Sequence, residues 1–173
     1  MNFNNLYIEL AEKIDTTIEG IQWIDLWNSQ VYNLEGENPF PAPAIFMAFR
    51  SNEMDEMGSK IQKVTLQVDF FLFYGKTSPD TYDNSYNQSE TLFSFLKHID
   101  DLNSLFHGSS GVNYNNMERV NFGPIDTDST GNIYSVTYTC DFIDRSAQKE
   151  WGTGNFKDLK IDPAADDNKF VTD

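Results

Sequence analysis

The sequence is poor in cysteine, in positive charge and in long apolar runs, and each shortage excludes a class of protein. Its single cysteine, Cys140, excludes an internal disulfide and a metal cage built from several cysteines. Lys and Arg number 12 against 27 Asp and Glu, which gives a net charge of −15. Because nucleic-acid phosphates and anionic lipids are bound by clustered basic residues, this composition argues against both kinds of partner.

No apolar run in the sequence is long enough to cross a membrane. The longest runs, such as residues 44–49 and 70–74, are the size of a strand or part of one, whereas a transmembrane helix needs roughly 18 or more apolar residues. The first residues also lack the basic segment and continuous apolar stretch of a signal peptide. The sequence therefore predicts a protein that is made in the cytoplasm and has no membrane partner.

Aromatic residues are abundant: 14 Phe, 8 Tyr and 3 Trp in 173 residues. This content is typical of a chain with a hydrophobic core and not of a disordered acidic chain. The length suits one domain, which we place at residues 1–147. Hydrophobic periodicity is lost after that, and residues 148–173 are predicted to form an extended C-terminal arm.

Two segments have the apolar spacing of amphipathic helices. The first is predicted to be capped by Asn4 or Asn5 and to end at Gly20. The second follows a capping-box pattern at Asn87 and Glu90. Its predicted apolar stripe, which ends before Gly108, consists of Leu92, Phe95, Leu96, Ile99, Leu102 and Phe106.

Five segments alternate between apolar and polar residues as strands do. They cover residues 21–27, 44–50, 61–74, 117–122 and 133–143. The order helix, strand, strand, strand, helix, strand, strand predicts an α+β fold. We expect two layers, a mostly antiparallel β-sheet packed by the two amphipathic helices.

Two features of the strands have two interpretations each. Phe71 and Phe73 make the third strand apolar on both faces at its end, so that either the chain itself or another subunit covers them. Residues 51–59 predict an acidic hairpin loop that contains Met54 and Met57. These methionines either pack shallowly on the sheet or provide an adaptable contact for a partner.

Signatures of catalysis and metal binding are missing or incomplete. Residues 126–131 imitate the start of a calcium loop, but the position for its bidentate Glu holds Thr137, inside a strand, so a β-turn is the better interpretation. His98 and His107 lack a second ligand at metal-binding spacing and are expected to be solvated or locally bonded. Cys140 is expected in the core. The sequence predicts no enzyme, no cofactor and no metal.

The order and hydrophobicity of these elements resemble those of tail terminator proteins of tailed bacteriophages, which are also called tail completion or head–tail joining proteins. The resemblance spans roughly residues 3–145. It rests on the order of an N-terminal amphipathic helix, a first strand, a proline-led strand at residues 43–49 and a long strand at residues 64–70. A helix at residues 90–106, a further strand, a polar turn and the last strand at residues 134–142 complete the order.

The resemblance implies a structural virion protein, made in the host cytoplasm, that forms a ring at the head-proximal end of the tail. Such a ring, commonly sixfold, joins the tail tube to the neck, contacts the neighbouring tail-tube and neck proteins, and leaves a channel for DNA. An acidic lining would repel passing phosphates and prevent sticking. The alternatives are another neck ring or head–tail adaptor and, in a different class, a small monomeric ligand-binding module.

We expect contacts with sister subunits or partners to use exposed apolar groups and the arm. Removal of residues 148–173 is expected to weaken ring formation while the fold stays intact. The candidate contact residues lie in the hairpin loop, at the end of the third strand that is apolar on both faces, and in the arm. They are Met54, Met57, Phe71, Phe73, Trp151 and Phe156.

Overall fold

A computed structural model describes residues 3–33, 40–75, 94–126 and 131–148. These residues contain two α-helices and five strands in the predicted order, together with a short 3-10 helix, Gln30–Asn33. The α+β prediction is confirmed. The elements are α1 (Phe3–Thr17), β1 (Trp23–Leu26), β2 (Ala44–Glu56), β3 (Gln62–Phe73), α2 (Ser94–Phe106), β4 (Asn115–Ile125) and β5 (Ile133–Asp144).

The five strands form one sheet in the order β1-β2-β3-β5-β4. β1 runs parallel to β2, and the three other pairs are antiparallel. The central strand is therefore β3, and β1 and β4 form the two opposite edges. β1 pairs only with residues 44–47 of β2, so the rest of β2 has no strand on its outer side within the described ranges.

Both helices pack on one face of the sheet. The alternation of β3 turns one set of its side chains toward them, and the 3.6-residue period of each helix supplies a matching stripe. Full burial of a large apolar side chain contributes about 1.5–3 kcal/mol, so this contact holds the two layers together. The helix side chains buried there are Leu6, Leu10, Ile14, Ile99, Leu102 and Phe106, and β3 contributes Val64, Leu66, Val68, Phe70 and Leu72.

Phe71 and Phe73 lie in a second, smaller apolar cluster on the opposite face. Trp27 stacks on Phe71 with ring centroids 4.3 Å apart, and Phe40 meets the Phe73 ring edge-on at 5.3 Å. The two phenylalanines are 6% and 3% exposed. The chain itself covers them, so the intramolecular interpretation is correct. The prediction that these rings form subunit contacts is wrong, because Trp27 and Phe40 already occupy the space.

Several predicted boundaries need correction. α1 begins at Phe3, so Asn4 and Asn5 lie in its first turn and neither is the cap. Gly20 does end the helical segment in a left-handed turn, with φ +87°. In α2, Leu96 is exposed and not part of the buried stripe, while the predicted capping box lies outside the described residues.

The predicted loop at residues 51–59 is mostly strand. β2 continues across a bulge between Ser51 and Glu53 and pairs with β3 as far as Glu56 opposite Gln62. The turn itself is short, and its positive-φ residues are Gly58, Ser59 and Lys60. Backbone pairing with β3 thus extends the strand in spite of its polar composition, which is the kind of tertiary effect that local propensity does not capture.

Candidate interaction surfaces

The end of the β2–β3 hairpin, residues 51–60, is exposed throughout, and we call it the hairpin end. Met54 lies in β2 opposite Val64 and is 55% exposed. Met57 begins the turn and is 61% exposed. A partner can therefore reach both methionines, although their role in a contact stays a prediction. Their acidic neighbours in the hairpin end are Glu53, Asp55 and Glu56.

The edge strand β4 carries an exposed apolar patch. Val120 and Phe122 are 56% and 53% exposed, and the Arg119 guanidinium lies 4.9 Å from the centroid of the Phe122 ring. We call Arg119, Val120 and Phe122 the β4 patch. Register shifts at two places interrupt the pairing of β4 with β5. Such bulges hinder an edge strand from pairing with another edge, so a partner is expected to meet side chains here.

At the opposite edge of the sheet, α1 and the segment that leads into β1 border an open depression of about 300 Å³, the α1–β1 depression. Ile21 and Trp23 contribute apolar surface to it, and Trp23 is 43% exposed. Glu12 and Asp15 contribute carboxylates from consecutive turns of α1. In the described ranges neither carboxylate has an ion-pair partner, so the depression offers negative charge beside apolar surface.

Glu9 ties α1 to the loop that precedes β4. Its carboxylate accepts hydrogen bonds from the backbone N–H groups of Val112 (2.9 Å) and Asn113 (2.8 Å), and from Asn113 Nδ2 (2.8 Å). Lys13 Nζ lies 3.2 Å from the same carboxylate. Burial by itself would raise the pKa of Glu9, but these donors outweigh it and lower the pKa. The carboxylate is a structural anchor rather than a free acid.

Asp69 is a buried carboxylate on the sheet face opposite the helices. It accepts hydrogen bonds from Thr137 Oγ1 (2.7 Å) and Gln67 Nε2 (3.0 Å), and Arg50 Nε lies 3.4 Å away. These hydrogen bonds and the nearby guanidinium offset the cost of removing the carboxylate from water. The group therefore has a structural role at the centre of the sheet.

Of the three residues considered for metal or thiol chemistry, His98 and Cys140 are buried, whereas His107 is exposed and accepts a hydrogen bond from the Arg119 backbone N–H at 3.0 Å. His98 is bonded to Tyr74 and to the Glu19 carbonyl, so it is locally bonded and not solvated. Cys140 lies in the helix-side core as predicted, and burial, with a smaller effect of Asp141, raises the pKa of its thiol to about 12. A thiol with such a pKa is not a reactive nucleophile.

Within the part of the chain that the structure describes, no three His, Cys, Asp or Glu side chains gather as metal ligands would. The helices described there are too short or too polar to span a bilayer. The predicted contact residues Trp151 and Phe156, and part of the calcium-like segment 126–131, lie outside the described ranges.

Sequence reasoning missed the β4 patch and the α1–β1 depression. Arg119, Phe122 and Trp23 occur in strand-like patterns, and only the order of the strands puts them at free edges. Glu12 and Asp15 are three residues apart, which indicates that they share one face of the helix. This spacing does not indicate which other part of the chain lies next to that face.

In comparisons with known proteins, the chain matches no protein-family model and no curated protein.

Proposed function

We propose that this chain is a structural virion protein whose copies assemble head to tail into a ring that joins a phage tail tube to the neck. One observation carries the proposal: two dissimilar surfaces, the β4 patch and the α1–β1 depression, lie at opposite edges of one sheet. In a ring of identical subunits each copy meets one neighbour with one surface and the other neighbour with a different surface. The element order supports the same function through the resemblance to tail terminators.

The distance between the two edges also suits a ring subunit. Five strands are spaced about 4.8 Å apart, so the edge strands lie about 19 Å from each other across the sheet. A neighbour bound at β4 therefore leaves the α1–β1 depression of the same copy open. This arrangement supports contacts with two neighbours at once.

The charge of the chain supports a channel that DNA traverses without binding. Each subunit carries a net charge of −15, which repels phosphates. The same charge opposes assembly, because neighbouring subunits also repel each other. Salt weakens this repulsion, since the screening length falls from about 10 Å at 0.1 M to about 3 Å at 1 M ionic strength.

The hairpin end supports a further contact along the tail axis. Met54 and Met57 are exposed on a segment that extends beyond the end of β1. Methionine side chains adapt to irregular surfaces, which suits a contact with a different protein such as the tail tube or the neck.

Mass photometry and negative-stain electron microscopy of the full chain test the proposal. Over a concentration series in 0.1 M and 1 M salt, we expect one closed ring species with a central opening, favoured by high concentration and by high salt. A strict monomer under all conditions would overturn it and favour the ligand-binding alternative, since the depression is near the lower size limit of small-molecule sites.

Two further measurements separate this role from related ones. Fluorescence anisotropy with duplex DNA in 0.15 M salt should give no binding at micromolar protein, and tight binding would contradict a non-adhesive channel. Mixed with tail tubes of its phage, the ring should cap one tube end. Attachment to the portal or neck alone would instead indicate another head–tail adaptor.

A further inference from the structure

We propose that Arg119 of one copy enters the α1–β1 depression of the next copy, where Glu12 and Asp15 receive its guanidinium. The inference rests on the proposed ring and names the two surfaces that meet in it. The occupant of the depression is thus a second copy of the same chain, which contributes a basic side chain to an acidic site.

Charge is the first argument. Four of the described basic residues, Lys13, Arg50, Lys63 and Lys97, have carboxylate partners within the chain. Arg119 forms no ion pair with a carboxylate in the described residues, and its guanidinium lies over an aromatic ring. It is a cation on a strongly acidic protein, and it is held at a free sheet edge.

The depression has the matching chemistry. Glu12 and Asp15 are three residues apart on α1, so their side chains share one face of the helix. A planar guanidinium with five N–H donors can bond two carboxylates at once, which a lysine ammonium does less well. Arg119 at the sheet edge, like Lys60 and Arg145, has no carboxylate partner in the described residues, and Glu12 and Asp15 have no basic partner there, so their opposite charges favour a second copy over an uncharged ligand.

Apolar surface is the second argument. The Phe122 ring lies under the Arg119 guanidinium, and the depression presents Ile21 and Trp23. Contact between Phe122 and Ile21 would bury apolar surface of both copies. Arginine and aromatic residues that pack together at the centre of an interface commonly carry most of its binding energy.

The positions of the two surfaces are compatible. Arg119 and Phe122 are paired with Tyr138 and Val136, whose side chains point into the helix-side core. The α1–β1 depression lies at the same helix-bearing face, at the other edge of the sheet. A neighbour placed beside the sheet in the same orientation therefore brings its Arg119 toward the depression, as a head-to-tail contact requires.

Charge reversal in the full chain tests the pairing, with the association constant measured by sedimentation equilibrium at fixed ionic strength. Arg119→Glu should weaken association at least tenfold, as expected for the loss and reversal of a close charge pair. Arg145→Glu is the matched control, because it makes the same change in net charge at an exposed arginine after β5. It should weaken association no more than about twofold, as a general charge effect would.

Rescue provides the decisive measurement. Glu12→Arg or Asp15→Arg, combined with Arg119→Glu, restores the net charge of −15 and should return association to within about threefold of the original. Circular dichroism and thermal melts verify that each variant is folded. Equal effects of Arg119→Glu and Arg145→Glu, or no rescue by either combination, would overturn the pairing while the ring proposal stands. A natural chain that never assembles would overturn both.

Discussion

His98 accepts a hydrogen bond at Nδ1 from the Tyr74 hydroxyl, 2.7 Å away, and its ring stacks on the Tyr74 ring. Its Nε2 lies 2.9 Å from the carbonyl oxygen of Glu19. A carbonyl oxygen only accepts, so Nε2 carries the proton and Nδ1 is the acceptor, which is a neutral imidazole with both nitrogens satisfied. One side chain thus joins α2 to the end of β3 and to the turn after α1.

The neutral form of His98 makes stability depend on pH. Burial, the largest effect, lowers the pKa of His98 in the folded chain below its usual value of about 6.5. The unfolded chain therefore takes up a proton first as the pH falls, and stability that is complete above about pH 6.5 declines below it. Urea unfolding between pH 7.5 and pH 5.5 should show this loss.

The variant His98→Gln identifies the source of that loss. It removes the titrating group, so its free energy of unfolding should be lower at pH 7.5 but change less between pH 7.5 and pH 5.5. Parallel pH profiles of the two proteins would mean that other groups cause the dependence.

Glu9→Gln should destabilise the chain by about 1–3 kcal/mol, because an amide replaces a carboxylate that accepts three hydrogen bonds and pairs with Lys13. Glu12→Gln is the control, because Glu12 is an exposed carboxylate one turn further along α1. Its free energy of unfolding should stay within about 0.5 kcal/mol of that of the original chain. Since the pKa of Glu9 is lowered, its contribution is present above about pH 4.3 and is lost as the pH falls further. Thermal melts at pH 7 and pH 4 measure both effects.

Gly111→Ala should destabilise the fold by about 1–3 kcal/mol through overpacking. A methyl group at Gly111 would overlap the carboxylate of Glu9 and approach the Tyr114 ring to 2.6 Å. Gly123→Ala is the matched control, because open space surrounds that position in β4. Chemical denaturation compares the two. Equal stability of Gly111→Ala and Gly123→Ala would contradict this prediction. It would mean that the loop before β4 shifts at little cost to make room for the methyl group.

Tyr138→Phe should leave the stability unchanged or raise it. The Tyr138 hydroxyl is buried and has no hydrogen-bond partner among the described residues, and burial raises the pKa of the phenol. Removal of an unsatisfied buried hydroxyl relieves a cost of desolvation of about 1–3 kcal/mol. Tyr114→Phe is the contrasting variant and should destabilise, since its hydroxyl bonds Lys13 and Ser109. Calorimetric melting temperatures decide, and a clear loss in Tyr138→Phe would indicate an internal water at that hydroxyl.

The double substitution Met54→Ser with Met57→Ser should preserve the melting temperature within about 2 °C, because both side chains are exposed in the hairpin end. The proposed function predicts that it weakens binding to tail tubes in a pelleting assay. Leu96→Ser, which alters an exposed apolar residue on α2, is the control and should bind normally. Unchanged binding of the double variant would exclude the methionines from that contact.

The helices and the long strands could be predicted because each signal is local. The period-two pattern of β5 and the apolar spacing of α1 correspond to a buried face in each case, so Cys140 and Leu10 were predictable core residues. The hairpin was harder to predict from the sequence, because residues 51–56 are polar and form a strand only through pairing with β3. His98 was also ambiguous, because its two partners come from distant parts of the chain.

The α+β class, the order of the elements and the acidic character of the chain could all be derived from the amino-acid sequence alone. These follow from residue spacing and composition, which need no knowledge of distant contacts. The fold was needed to see that Trp27 and Phe40 cover Phe71 and Phe73. It was also needed to place β1 and β4 at the free edges of the sheet. Strand order depends on which segments pair across the chain, and long-range pairing leaves no periodic trace in the sequence.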